Sequence, residues 1–305
     1  MSWLPDADPR CDSSKGKTAP VETVITPNLR DLEGFSVRRV LPAPERRAVG
    51  PFVFFDHMGP TEFAAGQGLA VRPHPHIGLS TLTYLYQGHI VHRDSLGFKQ
   101  LIRPGEINWM TAGRGIVHSE RSPEDELARV SELMGLQVWV ALPRESEEIA
   151  PAFTHYSVSS QPEVEASGVN IRVVAGEAFG LRARLKTLTP LFFVDIRLQP
   201  GASTGLEVEY TERAVYIVRG SAEVDGQVFT EGQMAVLRPG CKISLTSAGG
   251  AWLVAVGGEP LDGPRHMWWN FVASDREAIE RAKTNWQQGK FGHVPGDSEV
   301  IPLPD

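Results

Sequence analysis

His74-Pro75-His76-Ile77-Gly78-Leu79-Ser80-Thr81-Leu82-Thr83-Tyr84-Leu85-Tyr86-Gln87-Gly88 is the stretch whose reading decides the fold. Its second half is a short run of apolar, β-branched and aromatic residues stopped by a glycine, which reads as a strand closed by a turn. Its first half sets two imidazoles at positions i and i+2. Alternate side chains of a strand share a face, so His74 and His76 point the same way with Cα atoms about 6.5 to 7 Å apart.

The same texture extends outward. Across residues 37–140, runs such as Leu136-Gln137-Val138-Trp139-Val140 alternate with Gly and Pro turns roughly every ten residues, the spacing of an all-β sandwich or barrel. Residues 143–162 are polar, contain prolines and hold no period, and read as a link between domains. Strand-like runs then return as Ile171-Arg172-Val173-Val174, Leu191-Phe192-Phe193-Val194-Asp195-Ile196, Ala214-Val215-Tyr216-Ile217-Val218 and Trp252-Leu253-Val254-Ala255-Val256. The halves echo each other: Tyr84-Leu85-Tyr86-Gln87-Gly88 resembles Tyr216-Ile217-Val218-Arg219-Gly220, and Arg103-Pro104-Gly105-Glu106 resembles Thr230-Glu231-Gly232-Gln233. The C-terminal residues differ in kind. Ser274-Asp275-Arg276-Glu277 reads as a capping box, Ile279, Ala282 and Trp286 fall on one helical face, and Gly289 supplies a stop. The final Val300-Ile301-Pro302-Leu303-Pro304 is apolar for a free end and reads either as a tether or as a segment docked on a β domain.

Composition bounds the function. A chain of 305 residues with 41% hydrophobic and 22% charged residues has room for two ordinary globular domains. The balance of 30 Lys+Arg against 37 Asp+Glu gives a formal charge of −7 with no basic run, which argues against direct binding to nucleic acid. Cys11 and Cys241 are too few for a disulfide framework or a thiolate metal cluster. The start, Met1-Ser2-Trp3-Leu4-Pro5-Asp6, lacks the basic and apolar segments of a signal peptide, and no stretch approaches the ~18 apolar residues of a membrane span. A soluble, cytoplasmic protein without membrane contact is expected.

A second i, i+2 pair, His118-Ser119-Glu120, follows the Gly-punctuated turn Gly105 to Gly115. Nine histidines in a chain this long produce an H-x-H by chance with a probability of roughly 0.3, so either pair alone is weak. Together they offer three imidazoles and a carboxylate with no thiolate. Such borderline ligands suit Fe(II), Ni, Co or Zn and leave positions open if the metal is six-coordinate. The bland alternative is a hydrogen-bonded polar cluster at a barrel mouth. His92 and Asp94 form a third pair on the hairpin after Gly88, which reads as a solvated edge or a structural hydrogen bond. Asp56 and His57 follow the aromatic run Phe52 to Phe55 and either orient a metal-bound histidine or cap a strand. Phe54, Trp109 and Met110 are candidate pocket walls or plain core.

The H-x-H, the glycine twelve residues on, and the turn leading to a further histidine resemble the cupin superfamily. Phe54-Phe55-Asp56-His57, His74-Pro75-His76 and Trp109-Met110-Thr111-Ala112-Gly113-Arg114-Gly115-Ile116-Val117-His118-Ser119-Glu120 resemble the pirin family specifically, as do Pro264-Arg265-His266-Met267-Trp268-Trp269-Asn270-Phe271 and Val294-Pro295-Gly296-Asp297. The resemblance implies an all-β bicupin, two double-stranded β-helix barrels with a C-terminal helix and tail. The expected divisions are an N-terminal arm over residues 1–30, a metal-binding barrel over 31–148, a second barrel without metal ligands over 149–258, and a C-terminal helix and docking tail over 259–305. It also implies one divalent metal per chain, usually iron, with Ni, Co, Mn or Zn as alternatives, on ligands that map onto His74, His76, His118 and Glu120.

Bacterial pirins are similar to quercetin 2,3-dioxygenase, which implies a metal-dependent dioxygenase acting on a small aromatic, flavonol-like substrate. There the adjacent hydroxyl and carbonyl of the substrate would chelate the metal, Glu120 would act as the catalytic base, and the ring would open with loss of carbon monoxide. Other pirins imply a second role, a metal- or redox-dependent regulator that binds a transcription factor or metabolic enzyme. The chain departs from pattern in three places. Ser80 and Thr81 stand where cupins carry a Glu, so the carboxylate falls to Glu120; Ile77 stands where many pirins have Arg; and Leu206, Val208 and Leu245 occupy the second barrel's equivalents of His74, His76 and His118.

Overall fold

The computed structural model of the chain describes residues 19–31 and 35–304. Cys11 and the first 18 residues of the expected N-terminal arm lie outside the described residues. The chain divides into two compact units. One comprises Leu29–Arg39, Val53–Val158 and Leu261–Asp305; the other comprises residues 19–28 of the N-terminal segment, Val40–Phe52 and Ser159–Pro260.

Two sheets make up the unit that holds the H-x-H motif. The larger runs in the order Ala152–Tyr156, Ile107–Thr111, Leu79–Gln87, Ser131–Ala141, Phe52–Phe63, Ser36–Leu41, Asn28–Asp31. The smaller is antiparallel throughout, in the order Ala70–His76, Ile116–Arg121, Ile90–Asp94, Lys99–Ile102. The β-branched and aromatic residues of Thr81 to Tyr86 make Leu79–Gln87 a central strand buried on both faces. Phe35, Val37, Met58, Leu85, Ile90, Ile102 and Leu133 form one apolar cluster in this unit, each such side chain worth about 1.5 to 3 kcal/mol of burial.

Residues 143–162, read from sequence as a linker, contain the strand Ala152–Tyr156, which extends the larger sheet through Ile107–Thr111. The strand has no clean apolar alternation. Its main-chain groups satisfy an edge that would otherwise present unpaired N–H and C=O groups, and that need is invisible to a hydrophobic pattern.

The helix Arg276–Gln287 is present, with Ile279 and Ala282 buried in a cluster with Phe271, against which Trp286 and Leu303 pack. Its cap is one residue later than expected. The Ser274 N–H and hydroxyl both donate to the Glu147 carboxylate, so Asp275 becomes the N-cap and accepts from the Glu277 N–H. The tail is docked: the Ile301 N–H donates to the Pro73 carbonyl, and Trp286 Nε1 donates to the Ile301 carbonyl.

The second unit is built on an eleven-stranded sheet around a core in which Leu206, Val208 and Leu245 are buried among Val, Ile, Leu and Phe side chains. Within the expected arm, Val21–Ile25 pairs with Met234–Leu237 as a strand of this sheet. The internal repeat survives as a matching hydrogen bond: the Gly105 N–H donates to the Leu85 carbonyl, and the Gly232 N–H donates to the Ile217 carbonyl. No helix among the described residues is long and apolar enough to cross a membrane.

Candidate metal centre

Three adjacent strands of the smaller sheet each carry an i, i+2 pair of polar residues on one face. Across the register, His118 lies opposite His74 on one side and Asp94 on the other, and Glu120 lies opposite His92. Between His118 and Glu120 the pairing with Ala70–His76 shifts, so that Glu120 meets Val71. Pro73, which has no N–H for the ladder, sits inside this bulge. Gly78 and Gly113 fix where the strands begin, joined by a hydrogen bond from the Gly78 N–H to the Gly113 carbonyl. Gly78 is in the left-handed region at φ +66°, and a Cβ there would run into the Val272 carbonyl oxygen.

The site is nearly closed to solvent: His74 and Glu120 are 7% exposed, His76 and His118 1%. Each imidazole is oriented through Nδ1. His74 Nδ1 lies 2.9 Å from the Arg72 carbonyl and His76 Nδ1 3.2 Å from the Asn270 carbonyl; both oxygens only accept, so both nitrogens carry the proton. His118 Nδ1 lies 3.4 Å from His92 Nδ1, and His92 Nε2 lies 2.9 Å from Asp94 Oδ2. The carboxylate accepts a hydrogen bond from His92 Nε2–H, and a neutral His92 then has Nδ1 as the acceptor for His118.

With His92 neutral, this order of protons leaves Nε2 of each of the three histidines bare. His76 Nε2 and His118 Nε2 stand 3.1 Å apart, and ligand atoms of His74, His76 and His118 lie within 4.8 Å of one another. Two ring nitrogens this close in a dry site need either a shared proton or a cation between them, and this donor set fits a divalent metal. Burial reinforces the neutral state. It drives the His74 imidazole down to about 4 and those of His76 and His118 well below the usual histidine range, with the neighbouring imidazoles adding to the effect at His76 and His118.

Glu120 falls in an overlapping trio with His118 and His92. Burial raises its carboxyl above the ordinary glutamate value, opposed by the charge His92 carries when protonated and by the Thr83 hydroxyl, 3.2 Å from Oε1. Thr83 Oγ1 is also 2.8 Å from the Gln137 side-chain oxygen position. A hydroxyl has one proton. The trio of groups is satisfied when Gln137 turns its amide nitrogen to Thr83 and leaves that proton for Glu120.

The remaining sequence candidates divide. Phe54 stacks on Trp139 at 3.9 Å, and Trp139 stands edge-on to His76 at 5.1 Å, so Phe54 backs an aromatic wall beside the site. Met110 is buried opposite Thr81, on the face that carries Thr83. Trp109 is not brought to the cluster: it pairs with Leu82 on the other face of the sheet and donates to Thr111. Asp56 orients none of the three histidines, because Arg39 holds both of its oxygens, and His57 accepts from Arg38. His92 and Asp94, read from sequence as a solvated edge or a structural hydrogen bond and not as part of the site, are hydrogen-bonded to each other and buried beside it, 2% and 0% exposed, with Phe153 stacked on His92 at 4.3 Å. Their i, i+2 spacing was the available signal. Thr83, Gln137 and Trp139 gave none beyond ordinary strand texture.

Comparison with known proteins supplies the context. Residues 34–140 match the family model described as Pirin, and residues 193–292 match that described as Pirin C-terminal cupin domain. A pirin-like protein of Caulobacter vibrioides is 47% identical over 93% of this chain and 100% of its own length. Mouse pirin, from Mus musculus, is 32% identical over 85% of this chain and 89% of its own. A crystal structure of a quercetin 2,3-dioxygenase from Acinetobacter baumannii superposes with a TM-score of 0.87 at 34% identity, covering 93% of this chain and 95% of that one.

Proposed function

The chain belongs to the pirin family, and from that premise we propose that it is a mononuclear metal-dependent dioxygenase for flavonol-like substrates, of the quercetin 2,3-dioxygenase type. One observation carries the reading: His74, His76 and His118 bring ligand nitrogens within 4.8 Å of one another beside the buried carboxylate of Glu120. His74, His76 and His118 would hold the metal with Glu120, iron(II) being the family's usual ion. A divalent metal bound there supplies Lewis-acid and redox chemistry toward an adjacent hydroxyl and carbonyl.

The chain's own residues do the rest. Glu120, less acidic than a surface glutamate because it is buried, accepts the proton of the substrate hydroxyl on a carboxylate oxygen. Thr83 holds Oε1 in place during that transfer. Trp139, backed by Phe54, presents an apolar surface beside His76 that suits a planar aromatic ring and keeps water away. Residence in the cytoplasm fits the two cysteines and belongs to the same proposal.

A second reading has one observation in its favour. With no ligand more than 7% exposed, the centre resembles a buried switch as much as an open catalytic cleft, which suits a protein partner that senses the state of the metal. Flavonol turnover separates the two. Chain loaded with Fe(II) under argon and exposed to air with quercetin should consume the flavonol and dioxygen in equal amounts. Inert protein with Fe(II), Ni, Co and Mn in turn would transfer the assignment to the regulatory role.

A further inference from the structure

His92 and Asp94 lie outside the set of residues assigned to the metal, yet both are buried against it, and their hydrogen bonds have a direction. Asp94 Oδ1 accepts from the Leu96 and Phe98 N–H groups and builds the turn that follows the strand Ile90–Asp94. Its other oxygen, Oδ2, faces His92 Nε2 at 2.9 Å. His92 Nδ1 faces His118 Nδ1 at 3.4 Å, and His118 Nε2 faces the centre. We propose that Asp94 and His92 are positioning residues that act through His118, a carboxylate–imidazole–imidazole relay fixing which nitrogen of His118 is free to bind a metal.

The proton order follows from the acceptors. A carboxylate accepts only, so it fixes the proton of His92 on Nε2; His92 Nδ1 then accepts only, and it fixes the proton of His118 on Nδ1. His118 Nε2 is left bare, the form a metal requires. His74 and His76 reach the same state through main-chain carbonyls. His118 differs in having its orientation set by a side chain two links long, and a side chain can be changed without altering the backbone.

Asp94→Asn is the discriminating variant. Its oxygen can keep both turn hydrogen bonds, while its amide nitrogen, a donor, faces His92 Nε2 and expels the proton from it. The whole relay then reverses: His92 Nδ1–H donates to His118 Nδ1, and His118 Nε2–H donates to His76 Nε2. Every group in the metal-free protein is still satisfied, but His118 meets the metal with the wrong nitrogen protonated. The logic is that of a misplaced tautomer.

The inference rests on the metal-centre reading, and the test separates the two. Metal-stripped full-length chain is titrated with Co(II) against a chromophoric chelator, using wild type, His118→Ala, Asp94→Asn and His92→Phe, the last of which keeps the stacking on Phe153. Loss of Co(II) binding is expected in His118→Ala. Asp94→Asn and His92→Phe should weaken binding 10- to 100-fold, the usual cost of removing a ligand's hydrogen-bond partner, with the metal-free Asp94→Asn protein melting as wild type does. Long-range ¹⁵N correlation of the metal-free chain should find the His92 proton on Nε2 in wild type and on Nδ1 in Asp94→Asn, a change no purely structural role produces. Wild-type affinity in both relay variants, with the His92 proton still on Nε2 in Asp94→Asn, would overturn the relay while leaving the centre intact. Binding lost as completely in His92→Phe as in His118→Ala would make His92 a ligand and overturn it too. A wild-type chain that takes up no Co(II), or a His118→Ala chain that keeps it, would remove the centre and the relay together.

Discussion

The proposed function gives Glu120 two jobs that substitution can separate. Three imidazoles form a metal platform of their own, whereas the buried carboxylate alone can take up and return a proton. Glu120→Gln keeps the size and one oxygen donor but removes the base. It should retain most of the bound metal and lower flavonol turnover by about 10² or more, measured as metal content and initial rate on the same preparation. Equal rates in wild type and variant would exclude Glu120 as the base.

Acid acts on the same residues through stability. Burial lowers the pKa of His74 to about 4 in the folded chain, against 6.5 for an ordinary solvated imidazole, so between those values the unfolded chain binds more protons than the folded one. Stability of the metal-free protein is therefore full above pH 6.5 and falls as the pH drops toward 4, by on the order of 3 kcal/mol for His74 alone. His76 and His118, shifted in the same direction, add to the loss. Denaturant midpoints measured between pH 7.5 and 4.5 should decline; a flat profile would mean that the imidazoles are not buried in their neutral form.

At this scale the sequence made the face-sharing pairs readable, because i, i+2 spacing in a strand needs no knowledge of the partner strand. It left two things unreadable. Whether His92 and Asp94 turn toward solvent or toward Glu120 depends on Ile90–Asp94 pairing with Ile116–Arg121, a contact between segments far apart in the chain. Asp56 was open to a role in orienting a histidine because nothing in the local pattern showed that Arg39 would hold it.

Strands and turns hold these side chains in register, and two elements bear on that most. Gly78 starts the strand Leu79–Gln87 and lies against the Val272 carbonyl. Gly78→Ala combines a left-handed residue with a steric collision and should cost about 3 kcal/mol, read as a lower denaturant midpoint; a midpoint equal to wild type would show that the backbone moves freely there. The C-terminal tail covers the exposed edge of Ala70–His76. Arg121, next in sequence to Glu120, holds the tail through two hydrogen bonds to Asp297 and one to Glu299. Burial works against ionising Asp297, but the Arg121 fork wins and keeps its carboxyl below the usual value. Arg121→Gln should loosen the tail by about 1 to 3 kcal/mol, visible as faster proteolysis beyond Gly289, and unchanged cleavage would show that Ile301 and Leu303 anchor it alone.

The whole molecule was legible as two all-β barrels followed by one helix, since strand periodicity, glycine turns and a helical face are local signals. The strand at Ala152–Tyr156 and the cap at Asp275 were not, because each is decided by a long-range partner, Ile107–Thr111 in one case and Glu147 in the other. Charge at this scale gives a further expectation. A chain with net charge −7 and no basic run should show no submicromolar affinity for duplex DNA at physiological salt, checked by fluorescence anisotropy.

Both groups of three or more clustered ligand side chains among the described residues lie in the first barrel and share His118, whereas Leu206, Val208 and Leu245 sit in the apolar core of the second. The most direct test is therefore the metal content per chain after reconstitution with Fe(II) and removal of excess, compared between wild type and His76→Ala. The account predicts one equivalent in wild type and next to none in the variant. Two equivalents in wild type, or a His76→Ala chain that retains its full equivalent, would contradict it.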